Sequence, residues 1–386
     1  MKQTVKLPTG NLLVQVDRSD MPLESITGFA ARNNAKRGFL FVSKVLGKHM
    51  PVRPSLMRET HHLLARKLIA MRGDLPPAPL LVIGMAETAT ALGQGFFDAL
   101  IAQTGLSGAY LATTRYRIGL PCLRFDESHS HAVHQYLHVP QNGRIADTLV
   151  RSRTVVLVDD EVSTGNTFVN LVRAVAAAVP AMRELVIVTL LNWLDADTRQ
   201  SLETRMPCPV SFVSLLEGSF SFTPAVDYAY SAPVRSEATP ADRDSTLPLP
   251  GGRRGRTPDY RYPVEALAAS LHLSPPSAEG PLLILGTGEF MYEPFLLAAH
   301  LEHKGYNVFF QATTRSPILV GHDIACSMKF EDNYGESLDN FLYNVNHEKY
   351  QRIIICYETE TIPEGHTLPL LLNAHVLHFP VPGAAA

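Results

Sequence analysis

Residues 153–179 read RTVVLVDDEVSTGNTFVNLVRAVAAAV, and the fold follows from how that stretch divides. Val155, Val156, Leu157 and Val158 make an apolar run of strand length that stops at Asp159 and Asp160. A Ser/Thr/Gly turn follows, and from Phe168 the apolar residues recur at helical spacing. Strand, turn and helix in that order are half of a βαβ unit. The same grammar lies upstream, in PLLVIG from Pro79, TATALGQGFFDALIAQ and GAYLATTR, and downstream in RELVIVTLLNW. Runs this rich in Val, Ile and Leu are buried on both faces, so the fold class is α/β with a parallel sheet flanked by helices.

The chain has 386 residues, more than one hydrophobic core ordinarily serves, and two domains are expected. Residues 231–262 collect Pro, Gly, Arg and Ser without an apolar period and read as an exposed linker between domains at 1–230 and 263–386. With 46% apolar and 18% charged residues the composition is globular. Lys+Arg number 34 against 37 Asp+Glu, a balance that speaks against a nucleic-acid binder and for a small-molecule partner. The four cysteines form no C-x-x-C pair, the N-terminus lacks an apolar h-region, and Leu171–Leu194 is broken by Arg173, Pro180, Arg183 and Glu184. A cytoplasmic protein without membrane spans is expected.

The chain also repeats itself. PLLVIG at Pro79 recurs as PLLILG at Pro281, and ATTR ending at Arg115 recurs as ATTR ending at Arg315. FDE at Phe125 and YLHV at Tyr136 match FED at Phe330 and FLYNV at Phe341, and RTVVLVDDE at Arg153 matches RIIICYETE at Arg352. Four blocks in one order point to a duplicated fold, although any parallel sheet supplies apolar strands that end in polar loops.

The chemistry concentrates at the end of the first strand quoted. In the turn Ser163-Thr164-Gly165-Asn166-Thr167, backbone N–H groups at a helix start form an anion cradle, and the hydroxyls add donors. A Ser/Thr N-cap alone would give such a turn but would not need two carboxylates before it. Asp159 and Asp160 would repel a bare anion, yet accept hydrogen bonds from hydroxyls, so a sugar phosphate meets both demands. No Gly-Lys-Ser/Thr follows, which excludes a Walker A loop.

The segment resembles the phosphoribosyl pyrophosphate (PRPP) signature of type I phosphoribosyltransferases, of the kind related to orotate phosphoribosyltransferase. ATTRSP (Ala312–Pro317) with FEDNYGESLDNFLYNV resembles the TRSP domain that follows a transferase domain in proteins of tellurium-resistance-associated biosynthetic operons. AKRGFLFVSKVLGKHMPV and FDESHSHAVHQYL resemble that family's transferase domain, so the likeness covers most of the chain outside the linker. It implies a type I fold with a hood, and a PRPP-dependent enzyme that moves the 5-phosphoribosyl group between PRPP, or a ribonucleotide, and a base-like acceptor. Magnesium pyrophosphate would be the leaving group. A nucleoside-like product, a stress-response role, homodimer pairing and partner enzymes of the operon are further implications.

Carried over by position, Asp159 and Asp160 hold the ribose hydroxyls and Mg2+, and Ser163, Thr164, Gly165, Asn166 and Thr167 hold the 5′-phosphate. Glu161 departs from the family's apolar residue. Ala86, Glu87 and Thr88 take the place of the pyrophosphate loop, where an acid suits amide donation or magnesium contact. Arg115 is the expected catalytic cation, and Arg117, His129 and His131 join it on pyrophosphate; His129, His131, His134 and His138 lack the cysteines of a zinc site. Lys44, Lys48 and Trp193 are the acceptor candidates, with core packing an equal reading of Trp193. In the second half ETETIPEGH replaces DDEVSTGNT: Pro363 removes an amide, Glu364 stands for Gly165, and no PRPP site is expected. That half becomes a degenerate built-in partner, with Glu289, Arg315 and Asn333 facing some ligand of its own. The rival function is a PRPP- or nucleotide-sensing protein without turnover, and a third is a scaffold for other enzymes.

Overall fold

The computed structural model describes residues 1–34, 37–73, 75–126, 134–140, 143–230 and 251–379. The first half contributes β1 (Lys2–Leu7), β2 (Gly10–Ser19), β3 (Thr27–Ala31), β4 (Phe39–Ser43), β5 (Leu80–Gly84), β6 (Gly108–Ala112) and β7 (Cys122–Asp126). It continues with β8 (His134–His138), β9 (Thr154–Val162), β10 (Glu184–Asn192) and β11 (Val210–Pro224). The main sheet has the order β1-β2-β11-β10-β9-β5-β6. From β11 to β6 all neighbours are parallel, and β1 and β2 close one edge antiparallel. Every residue of β5 and β6 is buried, as the unbroken apolar runs require.

The second half contributes β12 (Leu282–Gly286), β13 (Val308–Ala312), β14 (Ser327–Glu331), β15 (Asp339–Tyr343), β16 (Arg352–Tyr357) and β17 (His375–His378). Its parallel sheet runs β13-β12-β16-β17, the order of β6-β5-β9-β10 in the first half. In each half an antiparallel ribbon follows the second strand: β7 with β8, and β14 with β15. The likeness reaches single hydrogen bonds. Ala86 N–H donates to Thr113 Oγ1 at 2.8 Å and Gly288 N–H to Thr313 Oγ1 at 2.9 Å. Thr114 and Tyr136 pair main chain to main chain, as do Thr314 and Phe341. The sequence repeat is therefore a repeat of fold.

The halves are joined by exchanged edges. Val52 pairs with Phe310 on β13, while Arg256 pairs with Tyr110 on β6. Met57 and Ala91, both fully buried, belong to the core beneath the second sheet. Over 251–262 the exposed-linker expectation fails: Arg253 and Arg256 are each 4% exposed, and Tyr262 donates to Glu293 at 2.8 Å. Local composition suggested solvent there because the partners of these arginines lie far away in sequence. Residues 231–250 lie outside the described residues, as does the GAAA tail.

Candidate functional site

The site forms where the parallel strands end. β9 carries Asp159 and Asp160 out of the core, the turn follows, and the helix Asn166–Val175 starts at its far side. Gly165 has φ +69°, and a Cβ there would lie 2.6 Å from Leu202 Cδ1, so glycine is required on both counts. The turn's amides thus meet a helix N-terminus, the geometry that receives phosphate. One cleft is lined by Asp159, Asp160, Glu161, Ser163, Thr164, Gly165 and Thr167 together with Ala86, Glu87, Thr88 and Arg115. Asn166 does not line it; its Oδ1 accepts from Arg205 at 2.8 Å.

Thr88 ties the two loops together by donating to Asp160 Oδ1 at 3.0 Å. Burial and the neighbouring Glu161 carboxylate push the Asp160 carboxyl up to about 6. A carboxylate so placed gains from a cation brought by a ligand. Glu161 itself faces Arg37 at 2.5 Å, which answers the extra acid beside the loop with a cation from the chain.

Glu87 lies deeper. Lys48 Nζ stands 2.6 Å from its Oε1 and Arg115 Nη1 2.7 Å from its Oε2. Burial alone would raise this carboxyl, but Lys48 and Arg115 outweigh it and hold it at about 2. Lys48 is fully buried and also donates to the Gly288 carbonyl at 2.7 Å, so it is a strut beneath the loop and not an acceptor ligand. Lys44 pairs with Asp323 of the second half at 3.0 Å, outside the cleft. Trp193 stacks on Phe41 at 4.6 Å within an aromatic core that includes Phe220. All three acceptor expectations are corrected by these contacts. Arg117 is half-buried and does not line the cleft. His129 and His131 lie outside the described residues.

Arg32, Arg37 and His49 escaped the sequence reading of the cleft, and Arg315 was assigned to a ligand of the second half. The hood hairpin β3–β4 packs Phe39 and Phe41 on Phe220, and so brings Arg32 and Arg37 over the strand ends. His49 joins them as a neutral ring, its pKa pushed down to about 3 by burial and by Lys48. Arg315, with Thr314 and Ser316, enters from the second half. The apolar run GFLFV among charged residues was a signal for the hood; nothing local marked Arg315 as serving the first half.

Glu289, set apart above as a ligand residue of the second half, instead accepts from Thr114 Oγ1 at 2.6 Å and from the Arg115 N–H at 2.8 Å. Arg253 Nε donates at 3.0 Å to the same Oε2 that Thr114 meets, and the same guanidinium is bidentate to Glu358 at 2.7 and 3.0 Å. Asn333 is buried, with its Nδ2 making no hydrogen bond among the described residues.

Fold and site define an α/β protein with an acidic pair and an anion cradle at the carboxyl ends of its parallel strands. The chain belongs to the phosphoribosyl transferase family: that family's model matches residues 26–219, and the TRSP domain C-terminal to it matches residues 251–373. Solved structures similar to part of it include adenine phosphoribosyltransferase from Rhodothermus marinus, at 17% identity over 50% of this chain and 97% of that one, TM-score 0.33. The Trypanosoma brucei enzyme in complex with AMP, pyrophosphate and ribose-5-phosphate is 14% identical over 55% and 86%, TM-score 0.35. The Giardia lamblia enzyme with 9-deazaadenine is 13% identical over 50% and 95%, TM-score 0.33. No curated protein matches. Among the described residues no helix is long and apolar enough to cross a membrane.

Proposed function

We propose that the protein is a cytoplasmic phosphoribosyltransferase that moves the 5-phosphoribosyl group between PRPP and a base-like acceptor. The observation that carries this is the acidic pair at the end of β9 opening directly into an amide-lined turn at a helix start. Asp159 and Asp160 accept from the ribose hydroxyls, and residues 163–167 receive the 5′-phosphate. The two strand-end carboxylates fit Mg2+, which uses one or two carboxylates plus substrate oxygens; Asp159 and Asp160 would hold it. Bound there, it supplies charge neutralisation for the departing pyrophosphate.

The chain's own contribution is positioning and electrostatics. The two carboxylates face the positive charge that develops on the ribose carbon. Arg115 orients the pyrophosphate loop through Glu87. Arg32 and Arg37 in the hood face the acceptor side, in place of the lysines and Trp193. The operon resemblance extends the proposal to a nucleoside-like metabolite connected with tellurium resistance.

Calorimetry with PRPP and Mg2+ tests the reading, comparing wild type with Asp159→Asn/Asp160→Asn, followed by a pyrophosphate-release screen over candidate bases. Magnesium-dependent binding that the double variant loses is expected; a folded wild type that does not bind PRPP overturns it. One observation favours a sensing role, namely that Glu87 already engages Arg115 and Lys48. Binding without pyrophosphate release from any base would decide for that role.

A further inference from the structure

We infer that Arg315, from the second half, is a substrate-binding residue of the first-half site, where its guanidinium takes an oxyanion of the donor's diphosphate. The inference rests on the proposed use of PRPP for the ligand's name, and on the geometry for the site.

Three observations converge. First, Thr314, Arg315 and Ser316 line the same cleft as Asp159, Asp160 and the 163–167 turn, although they are the repeat counterparts of Thr114, Arg115 and Tyr116. The turn is rigid, since Thr314 Oγ1 accepts from the Ser316 N–H at 3.1 Å and the Thr314 main chain pairs with Phe341. Second, Arg315 has no site of its own half to serve. The equivalent cleft there is closed by Arg253, whose fork covers both carboxylate oxygens of Glu358, the counterpart of Asp159.

Third, the guanidinium is only half used. Arg315 is 5% exposed, and its hydrogen bonds, to Glu336 at 2.7 Å and to the Tyr116 hydroxyl, leave from Nη2 alone. Nη1 and Nε bond to no described residue. Stacked on the Tyr116 ring at 5.1 Å, the guanidinium is held in place in the wall of the cleft. Nε and Nη1 lie on different edges of the guanidinium, and each can donate a single charge-assisted hydrogen bond to a phosphate oxygen. The side is the diphosphate's because Arg315 lines the cleft together with Ala86, Glu87 and Thr88, the loop that takes the pyrophosphate position. Since Glu87 occupies Arg115 Nη1, Arg315 supplies a second cation beside it.

The test is calorimetry on the full chain with three probes: Mg2+ with PRPP, Mg2+ with inorganic pyrophosphate, and ribose 5-phosphate, which lacks the diphosphate. Arg315→Gln should weaken PRPP and pyrophosphate binding about tenfold to a hundredfold, the range of a charged hydrogen-bond pair, and leave ribose 5-phosphate unchanged. Arg315→Lys keeps the charge and loses the planar group with its separate donors, and should recover part of the loss; it also decides the matter should the glutamine variant not fold. Equal pyrophosphate affinity in wild type and a folded variant overturns the inference, as does a parallel loss of ribose 5-phosphate. A wild type that binds pyrophosphate but not PRPP sinks the transferase reading and leaves Arg315 to be judged on pyrophosphate; binding of neither sinks both.

Discussion

Lys48 and Arg253 occupy matching places in the two halves, and the difference between them separates an open site from a closed one. Each sits on a segment exchanged to the other half's sheet edge, through Val52 on β13 and through Arg256 on β6. Each meets the glutamate of the strand-end turn, Glu87 for Lys48 and Glu289 for Arg253. The lysine goes on to the Gly288 carbonyl and to no second carboxylate. The arginine reaches on to Glu358, whose other contact is the Tyr334 hydroxyl at 2.6 Å. Where the first half leaves Asp159 and Asp160 facing a cleft, the second has satisfied its strand-end acid from within. One fold thus occurs twice, with an open cleft at the strand ends of one copy and a covered strand-end acid in the other.

The largest effect should come from removing that internal cation. Arg253→Ala leaves Glu289 and Glu358 buried without their partner, a loss of about 3–5 kcal/mol for a broken buried pair. Urea unfolding of the full chain would show it as a lower midpoint. An unchanged midpoint would mean that the second site tolerates emptiness, and the contrast drawn above would fall.

The sheet was legible in the sequence because its evidence is local: apolar runs of strand length, polar turns at their ends, helical spacing after them. The cradle was legible for the same reason, since Gly165 and its hydroxyl neighbours stand within five residues of Asp160. The repeat could be aligned because both copies need buried strands at the same intervals. What escaped depends on distance along the chain. Arg253 reads as linker until Glu358, 105 residues on, is brought against it. Lys48 reads as an acceptor ligand until the exchanged edge buries it under Glu87. Trp193 could be core or ligand platform, and only the hood's Phe41 stacking on it decides.

A middle-sized effect follows from Asp160, whose counterpart in the second half is the non-titrating Thr359. Its folded pKa of about 6 lies above the ordinary 3.8, so the folded state holds that proton more tightly than the unfolded chain does. The stability this gives is fully present below the ordinary value and is lost as pH rises through about 6. Ligand binding runs the other way, because the carboxylate that accepts ribose hydroxyls and faces Mg2+ must be ionised. PRPP affinity should fall about tenfold for each pH unit below 6, and Asp160→Asn should flatten that limb of the profile. A wild-type profile flat between pH 5 and 7 would remove Asp160 from the ligand.

The smallest effect is the most selective. Pro363→Ser/Glu364→Gly returns to the second half the residue types of Thr164 and Gly165, near enough to rebuild a donor-lined turn. Glu364 is exposed, so the change should cost little stability. Loop chemistry alone, however, is not the site. The helix beyond is Leu368–Leu372, five residues that begin well past the turn, whereas the first half's helix begins at Asn166 directly after Gly165. Arg253 would still cover Glu358. Calorimetric stoichiometry for PRPP should therefore remain one per chain in the double variant. A rise to two would show that the turn, and not the internal arginine, is what distinguishes the halves.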